Sequence, residues 1–243
     1  MATTTLSRRI FLKQVAASSG ALAVGAGTVV SPAAAADAAP ASPAPAPEVA
    51  AGYESLSPAE AAFVEALVNV MCPADNLTPN GVDCGLADYI DRQLAGAFGR
   101  GDRLYRQGPW RSGKPQLGYQ LPLTPEQFFK TGVATAQAAC TARLNKHFED
   151  LSPEDANAFL LEVAAGKVDD ARVPLAQWFN ELVYPLFTQA CFADPMYGGN
   201  RGKVFWKLIG YPGLPAFHTK NMVEFRGKPF PGALDPKSIQ DFS

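Results

Sequence analysis

Apolar residues recur along the middle of this chain at intervals of three and four, the spacing of one face of a helix. Phe63, Val64, Leu67, Val70 and Met71 form the first such run, directly after Ser57-Pro58-Ala59-Glu60. That opening supplies a hydroxyl cap, a proline at the first helical position and a glutamate three residues after the cap. Together they satisfy the N–H groups that a helix start leaves unpaired. The same opening recurs at Thr124-Pro125-Glu126-Gln127 and, as a variant, at Ser152-Pro153-Glu154-Asp155. A second helix is predicted over 83–97, with Leu86, Ile90, Leu94 and Ala97 on one face. A third is predicted over 125–148 through Phe129, Val133, Ala136, Cys140 and Leu144, and a fourth over 153–165. The fifth, 174–192, uses Leu175, Trp178, Phe179, Leu182 and Leu186, and Pro185 is expected to kink it. No alternating strand pattern competes, so the fold class is all-α: an irregular bundle of about five helices.

Two stretches break the pattern. Residues 99–123 form a long loop containing Tyr105, Trp110 and Tyr119, and a loop of that length in a compact domain is usually functional or disordered. Residues 194–243 hold six prolines, seven glycines and eight aromatics, which predicts an extended, irregular tail. Disordered tails are poor in aromatics, so this one is expected to be ordered, either against its own bundle or on a second protein.

The N-terminus reads differently from the rest. Ser7-Arg8-Arg9-Ile10-Phe11-Leu12-Lys13 precedes an uncharged Ala/Gly-rich run, which ends in Ala34-Ala35-Ala36. Ser7, Arg8, Arg9, Phe11, Leu12 and Lys13 match the twin-arginine (Tat) export motif, so residues 1–36 are read as a signal peptide cleaved near Ala36. The alternative is an ordinary secretory signal with two basic residues. Tat exports folded proteins, which carry a cofactor or travel with a partner that does. Residues 37–54 are an Ala/Pro-rich linker, 55–193 the helical domain and 194–243 the tail.

Without residues 1–36, 18 Lys and Arg face 23 Asp and Glu, a net charge of about −5. No basic stripe offers to neutralise phosphates, which argues against nucleic acid as a partner. Cys72, Cys84, Cys140 and Cys191 are even in number in an exported chain, so they read as disulfides. Of the three possible pairings, short loop closure favours Cys72–Cys84, and Cys140–Cys191 would tie the third helix to the fifth, against the alternatives of buried free thiols or a bond to a partner. His147 and His218 have no partner at metal-ligand spacing. No haem-attachment motif, iron–sulfur spacing or nucleotide fingerprint occurs, so no cofactor is expected in this chain. The runner-up reading is an independent secreted enzyme using Asp75, Asp88, Asp91 or a histidine, and a third is a scaffold unrelated to redox work.

Cys72-Pro73-Ala74-Asp75, followed by Gly85-Leu86-Ala87-Asp88-Tyr89-Ile90-Asp91-Arg92-Gln93-Leu94, resembles a segment of gluconate 2-dehydrogenase subunit 3. Pro195-Met196-Tyr197-Gly198-Gly199-Asn200, with Trp206-Lys207-Leu208-Ile209-Gly210-Tyr211-Pro212-Gly213, resembles the same family's C-terminal signature. The resemblance spans about residues 55–215. It implies a small, non-catalytic subunit of a heterotrimeric, membrane-associated dehydrogenase. The large subunit of such complexes carries FAD and the catalytic residues, and a cytochrome c subunit carries haem c and passes electrons to quinone. The small subunit carries the Tat address for its flavin partner, which implies contact with the Tat translocase and a place on the periplasmic face of the inner membrane. Related small subunits serve ketogluconate, sorbitol, fructose and glucose dehydrogenases. Tyr197, Asn200, Trp206, Tyr211, Pro212 and, in the long loop, Trp110 are the candidate residues for meeting a partner.

Overall fold

The predicted helix starts form the caps their sequences call for. Ser57 Oγ accepts from the Glu60 amide while the Glu60 carboxylate accepts from the Ser57 amide at 2.8 Å, and α1 runs Pro58–Met71. Thr124 and Gln127 form the same reciprocal pair at the head of α4 (Pro125–Leu144). Ser152 accepts from the Asp155 amide at 3.1 Å to start α5 (Pro153–Ala164). This computed structural model describes residues 52–111, 113–114, 117–168 and 173–242. Ser7, Arg8, Arg9, Phe11, Leu12 and Lys13, the rest of the 1–36 leader and most of the linker lie outside the described residues.

The described residues are helical, with no strand among them, and hold more helices than the five predicted. The second predicted helix divides at Gly96 into α2 (Leu86–Ala95) and α3 (Ala97–Arg100). Helix α4 stops four residues early because Asn145 adopts a left-handed conformation (φ 51°). The Gln137 side chain then receives the Phe148 amide at 3.1 Å, turning Phe148 into the core. The fifth helix carries a π-turn, Phe179–Val183, between α6 (Leu175–Trp178) and α7 (Tyr184–Phe192). Pro185 has no N–H to give to Glu181, and its ring crowds that carbonyl. Widening the preceding turn into a π-turn relieves the conflict at Pro185.

Trp178 is fully buried and sits where the helices converge. Its ring neighbours are Phe63 (6.5 Å between centroids) and Phe129 (6.2 Å), and Phe63 also packs on Phe148 at 4.6 Å. The indole Nε1 donates to the Phe129 carbonyl at 3.1 Å. This is possible because residue 132 is glycine: a Cβ there would lie 2.1 Å from that nitrogen. Leu67, Leu86, Ile90, Leu94 and Leu186 are among the other fully buried side chains of the same core.

The folded unit begins at Tyr53, close to the linker boundary read from composition. A buried carboxylate fixes that start. Asp91 accepts from the amides of Glu54 (2.7 Å), Ser55 (2.9 Å) and Leu56 (2.9 Å), and Lys130 donates to the Ser55 carbonyl at 2.8 Å. The C-terminal stretch belongs to the same unit. It contains two short helices, α8 (Val204–Ile209) and α9 (Thr219–Glu224), joined by 3₁₀ turns. The aromatic content predicted order here, but not these helices.

Candidate functional site

Two segments more than a hundred residues apart in sequence meet backbone to backbone. Gly85, at the head of α2, has φ 77°, and a Cβ on it would fall 2.1 Å from the Gly198 carbonyl. Only glycine permits this approach. Gly199 is equally constrained, because a Cβ there would stand 2.4 Å from the Ala190 carbonyl of α7. The Arg201 amide donates to the Cys84 carbonyl at 3.0 Å, and its guanidinium meets Asp88 at 2.6 Å. The Tyr89 hydroxyl reaches Gln189 at 3.5 Å, so α2, α7 and the Gly198-Gly199-Asn200-Arg201 turn form one seam.

Asn200 is the buried centre of that turn. It takes a left-handed conformation (φ 46°) that asparagine tolerates better than most residues. Its Nδ2 donates to the Ala193 carbonyl at 3.1 Å, and its Oδ1 accepts from the Phe205 amide at 3.0 Å. Phe205 lies in the first turn of α8, where a backbone N–H has no helical partner. One side chain thus ties the end of α7 to the start of α8.

Trp206, on α8, is buried, and its Nε1 donates to the Phe192 carbonyl at 2.8 Å. Tyr211 packs against its face at 5.2 Å, and the Tyr211 amide donates back to the Trp206 carbonyl at 2.8 Å. The Pro212 carbonyl accepts from the Lys237 amide at 2.9 Å, which brings the chain's last stretch across the turn. Of the candidate contact residues, Asn200 and Trp206 therefore face inward and shape the surface, whereas Tyr197 is exposed. Trp110 is also exposed, in the long loop after α3. Around Trp206 opens a groove of about 430 Å³, walled by Phe192, Ile209, Tyr211, Leu214, Pro215 and Ile239.

The family model described as gluconate 2-dehydrogenase subunit 3 matches residues 58–213. This chain belongs to the gluconate 2-dehydrogenase subunit 3 family. No curated protein and no solved structure matches it. The matched span runs from the capped start of α1 to the Pro212-Gly213 turn and contains the whole seam. As a subunit 3 protein, the chain is an accessory part of a dehydrogenase complex and associates with other dehydrogenase subunits.

The family's acidic motif residues are occupied in building the fold. Asp75 accepts from the amides of Leu77 (2.7 Å) and Thr78 (2.8 Å), which hold its carboxyl below the ordinary carboxylate range. Asp88 is engaged by Arg201 and Asp91 by the linker amides, so these three acids do not converge on one cavity. His147 Nδ1 lies 2.8 Å from the Gln137 amide nitrogen, and His218 packs edge-on against Phe230. Among the described residues, no three His, Cys, Asp or Glu side chains are placed to hold a metal ion, and no helix is long and apolar enough to cross a membrane. A polar cleft of about 510 Å³, lined by Lys114, Gln120, Gln177, Asn180 and Glu181, opens beside the π-turn.

The cysteines require a correction. All four are buried free thiols in this structure. Cys140 is not paired with Cys191: its Sγ faces the Lys146 carbonyl at 3.4 Å, beyond the end of α4 and close to Glu149. Cys191 instead lies with Cys72 and Cys84 under the seam. Cys72 and Cys84 are neighbours, as short loop closure predicted, but each Sγ points at the Pro79 carbonyl, at 3.7 and 3.6 Å. Burial pushes the thiol of Cys84 up to about 11 and that of Cys191 up to about 12.

Arg201 is the site residue that sequence reasoning missed. Its signal was a cation directly after the Tyr-Gly-Gly-Asn element with no acid within the next turns of chain to pair it.

Proposed function

We propose that this protein is the small, non-catalytic subunit of a heterotrimeric FAD-dependent gluconate 2-dehydrogenase on the periplasmic face of the inner membrane. In this reading the complex oxidises D-gluconate to 2-dehydro-D-gluconate. FAD resides in the large subunit and haem c in a cytochrome subunit, which delivers the electrons to quinone. The observation that carries the reading is the family match over residues 58–213, whose two signature segments are the two halves of one buried seam. The acids and histidines that a separate enzyme would employ are spent on caps, ion pairs and ring contacts. That leaves a folded body whose task is to bind and accompany.

Export follows from the same reading. Ser7, Arg8, Arg9, Phe11, Leu12 and Lys13 supply a Tat address, and a folded flavoprotein bound to this chain crosses with it. The double variant Arg8→Lys, Arg9→Lys tests this. Gluconate-dependent dye reduction by intact cells, in which only periplasm-facing enzyme meets substrate and dye, is expected to disappear while activity accumulates in the cytoplasmic fraction. Normal activity at the cell surface would show that the partner does not depend on this leader. Ketogluconate, sorbitol, fructose or glucose in place of gluconate distinguishes the sister complexes, since substrate choice lies in the large subunit.

A further inference from the structure

The groove around Trp206 continues into a second apolar feature. Pro215, which lines it, leads within two residues to Phe217, and Ile239, which also lines it, leads within three to Phe242. Those two rings stack on each other at 5.5 Å and 10°. The stack does not bury them: Phe217 is 68% exposed and Phe242 64%, and Ile209 at the groove's edge is 58% exposed. A run of exposed large apolar side chains on one surface marks an interaction site.

The walls are held in place before any partner arrives. Lys203 pairs with Asp241, the Ser238 amide donates to Asp241 at 2.7 Å, and the Ile239 amide donates to Asp194 at 2.9 Å. A pre-formed groove loses little ordering entropy on binding.

Charge says what kind of surface fits. Residues 194–243 carry seven Lys and Arg against four Asp and Glu, a net +3. Residues 37–193 carry 11 against 19, a net −8. Arg201, Lys203 and Lys237 are engaged by Asp88, Asp241 and Asp235. Lys207 and Lys220, close in sequence to Ile209 and Phe217, stand exposed. Asp194 also lines the groove, but its carboxylate is taken up by the Met196 and Ile239 amides. Lys207, on the same helix as Ile209, and Lys220, three residues past Phe217, are exposed cations on an otherwise acidic protein. Such a surface suits an apolar segment that carries carboxylates.

We infer that this groove is the docking site for the flavin-bearing dehydrogenase subunit, which inserts an apolar segment between Ile209 and the Phe217–Phe242 pair with acidic side chains facing Lys207 and Lys220. The inference rests on the reading of this chain as a dehydrogenase subunit, and it moves the contact from the buried Trp206 to the exposed residues around it. Truncating a central apolar anchor costs about 30-fold or more in affinity, and reversing a rim charge acts mainly on the association rate and its salt dependence.

The test uses the full chain co-produced with the flavin-bearing subunit of its own organism, with affinity read by titration of the purified partners. Ile209→Asp and Phe217→Asp are each expected to weaken binding at least 30-fold. Lys207→Glu is expected to slow association several-fold at low salt and to have less effect at high salt. Leu161→Asp, on the exposed face of α5, is the control and is expected to bind as the unaltered chain does. Circular dichroism and the melting temperature establish that each variant is folded, and the exposure of the altered side chains leaves the core untouched.

If the unaltered chain does not bind the flavoprotein at all, the dehydrogenase-subunit reading fails. If it binds, and Ile209→Asp and Phe217→Asp bind equally well, that reading stands and the groove assignment is overturned. A concentration-dependent dimer of this chain that these variants abolish, with flavoprotein binding intact, overturns it in favour of a second copy. Adsorption to anionic vesicles that they abolish, again with flavoprotein binding intact, overturns it in favour of the lipid surface.

Discussion

Asn200 is the residue on which the C-terminal signature turns, and its replacement has a calculable cost. In Asn200→Ala the buried Ala193 carbonyl loses its donor and the Phe205 amide its acceptor. Each buried group left unpaired costs about 1–3 kcal/mol. Alanine must also occupy φ 46°, ψ 41°, a left-handed conformation that costs an L-residue with a Cβ roughly 1–2 kcal/mol. The sum is roughly 3–8 kcal/mol, a large part of the ~5–15 kcal/mol that holds a typical domain. Asn200→Gly loses the same two hydrogen bonds but not the backbone conformation, so it is expected to cost ~1 kcal/mol less than alanine. Urea unfolding of the mature chain, followed by fluorescence of the buried Trp178 and Trp206, measures both at unchanged m-value. An alanine variant within 1 kcal/mol of the parent would falsify the assignment of Asn200 as the tie between α7 and α8. A glycine variant less stable than alanine would refute the backbone part of the reasoning.

Gly132→Ala is expected to lower the melting temperature by ~5–10 °C. Its Cβ would displace the Trp178 ring and its hydrogen bond to Phe129, at about 3 kcal/mol for overpacking and the lost bond, and an unchanged melting curve contradicts this. With all four thiols free and buried, iodoacetamide at pH 8 is expected to label the native protein from a reducing cytoplasm slowly, and to label four cysteines once guanidinium unfolds it without reductant; mass spectrometry showing fewer than four labels disproves it. The Lys203 ammonium and the Ser238 amide hold the Asp241 carboxyl down at about 2, below its unfolded value near 3.9. A depressed acid stabilises the fold above the unfolded pKa, so the clamp on residues 238–242 is expected to hold at pH 4.5 and release as pH falls towards 2. Hydrogen exchange at Ser238 and Ile239, corrected for intrinsic rate, reads it out, and equal protection at both ends of that range, or the same release in Asp241→Asn, counts against it.

Much of the bundle was legible in the chain, because local rules wrote it. Capping boxes at Ser57 and Thr124 act within four residues, and the apolar spacing of Phe63, Val64 and Leu67 needs no distant partner to be read. The family signature was legible as well, since it is a string of residue types.

What those residues do was decided only by the fold. Gly85 is glycine because a Cβ there would strike the Gly198 carbonyl across more than a hundred residues of sequence, and no local pattern encodes that approach. The same holds for Cys140, which helical spacing put in the core but whose thiol tertiary packing set against the Lys146 carbonyl, while Cys191 lies with Cys72 and Cys84. Trp206 and Ile209 occupy the same six-residue helix, yet one is buried beneath Phe192 and the other stands in solvent. Sequence alone established an all-α chain with capped helices. Which aromatics build the C-terminal tail and which are left for a partner depends on where α7 ends relative to α8, and that is a property of packing between elements, not of any one of them.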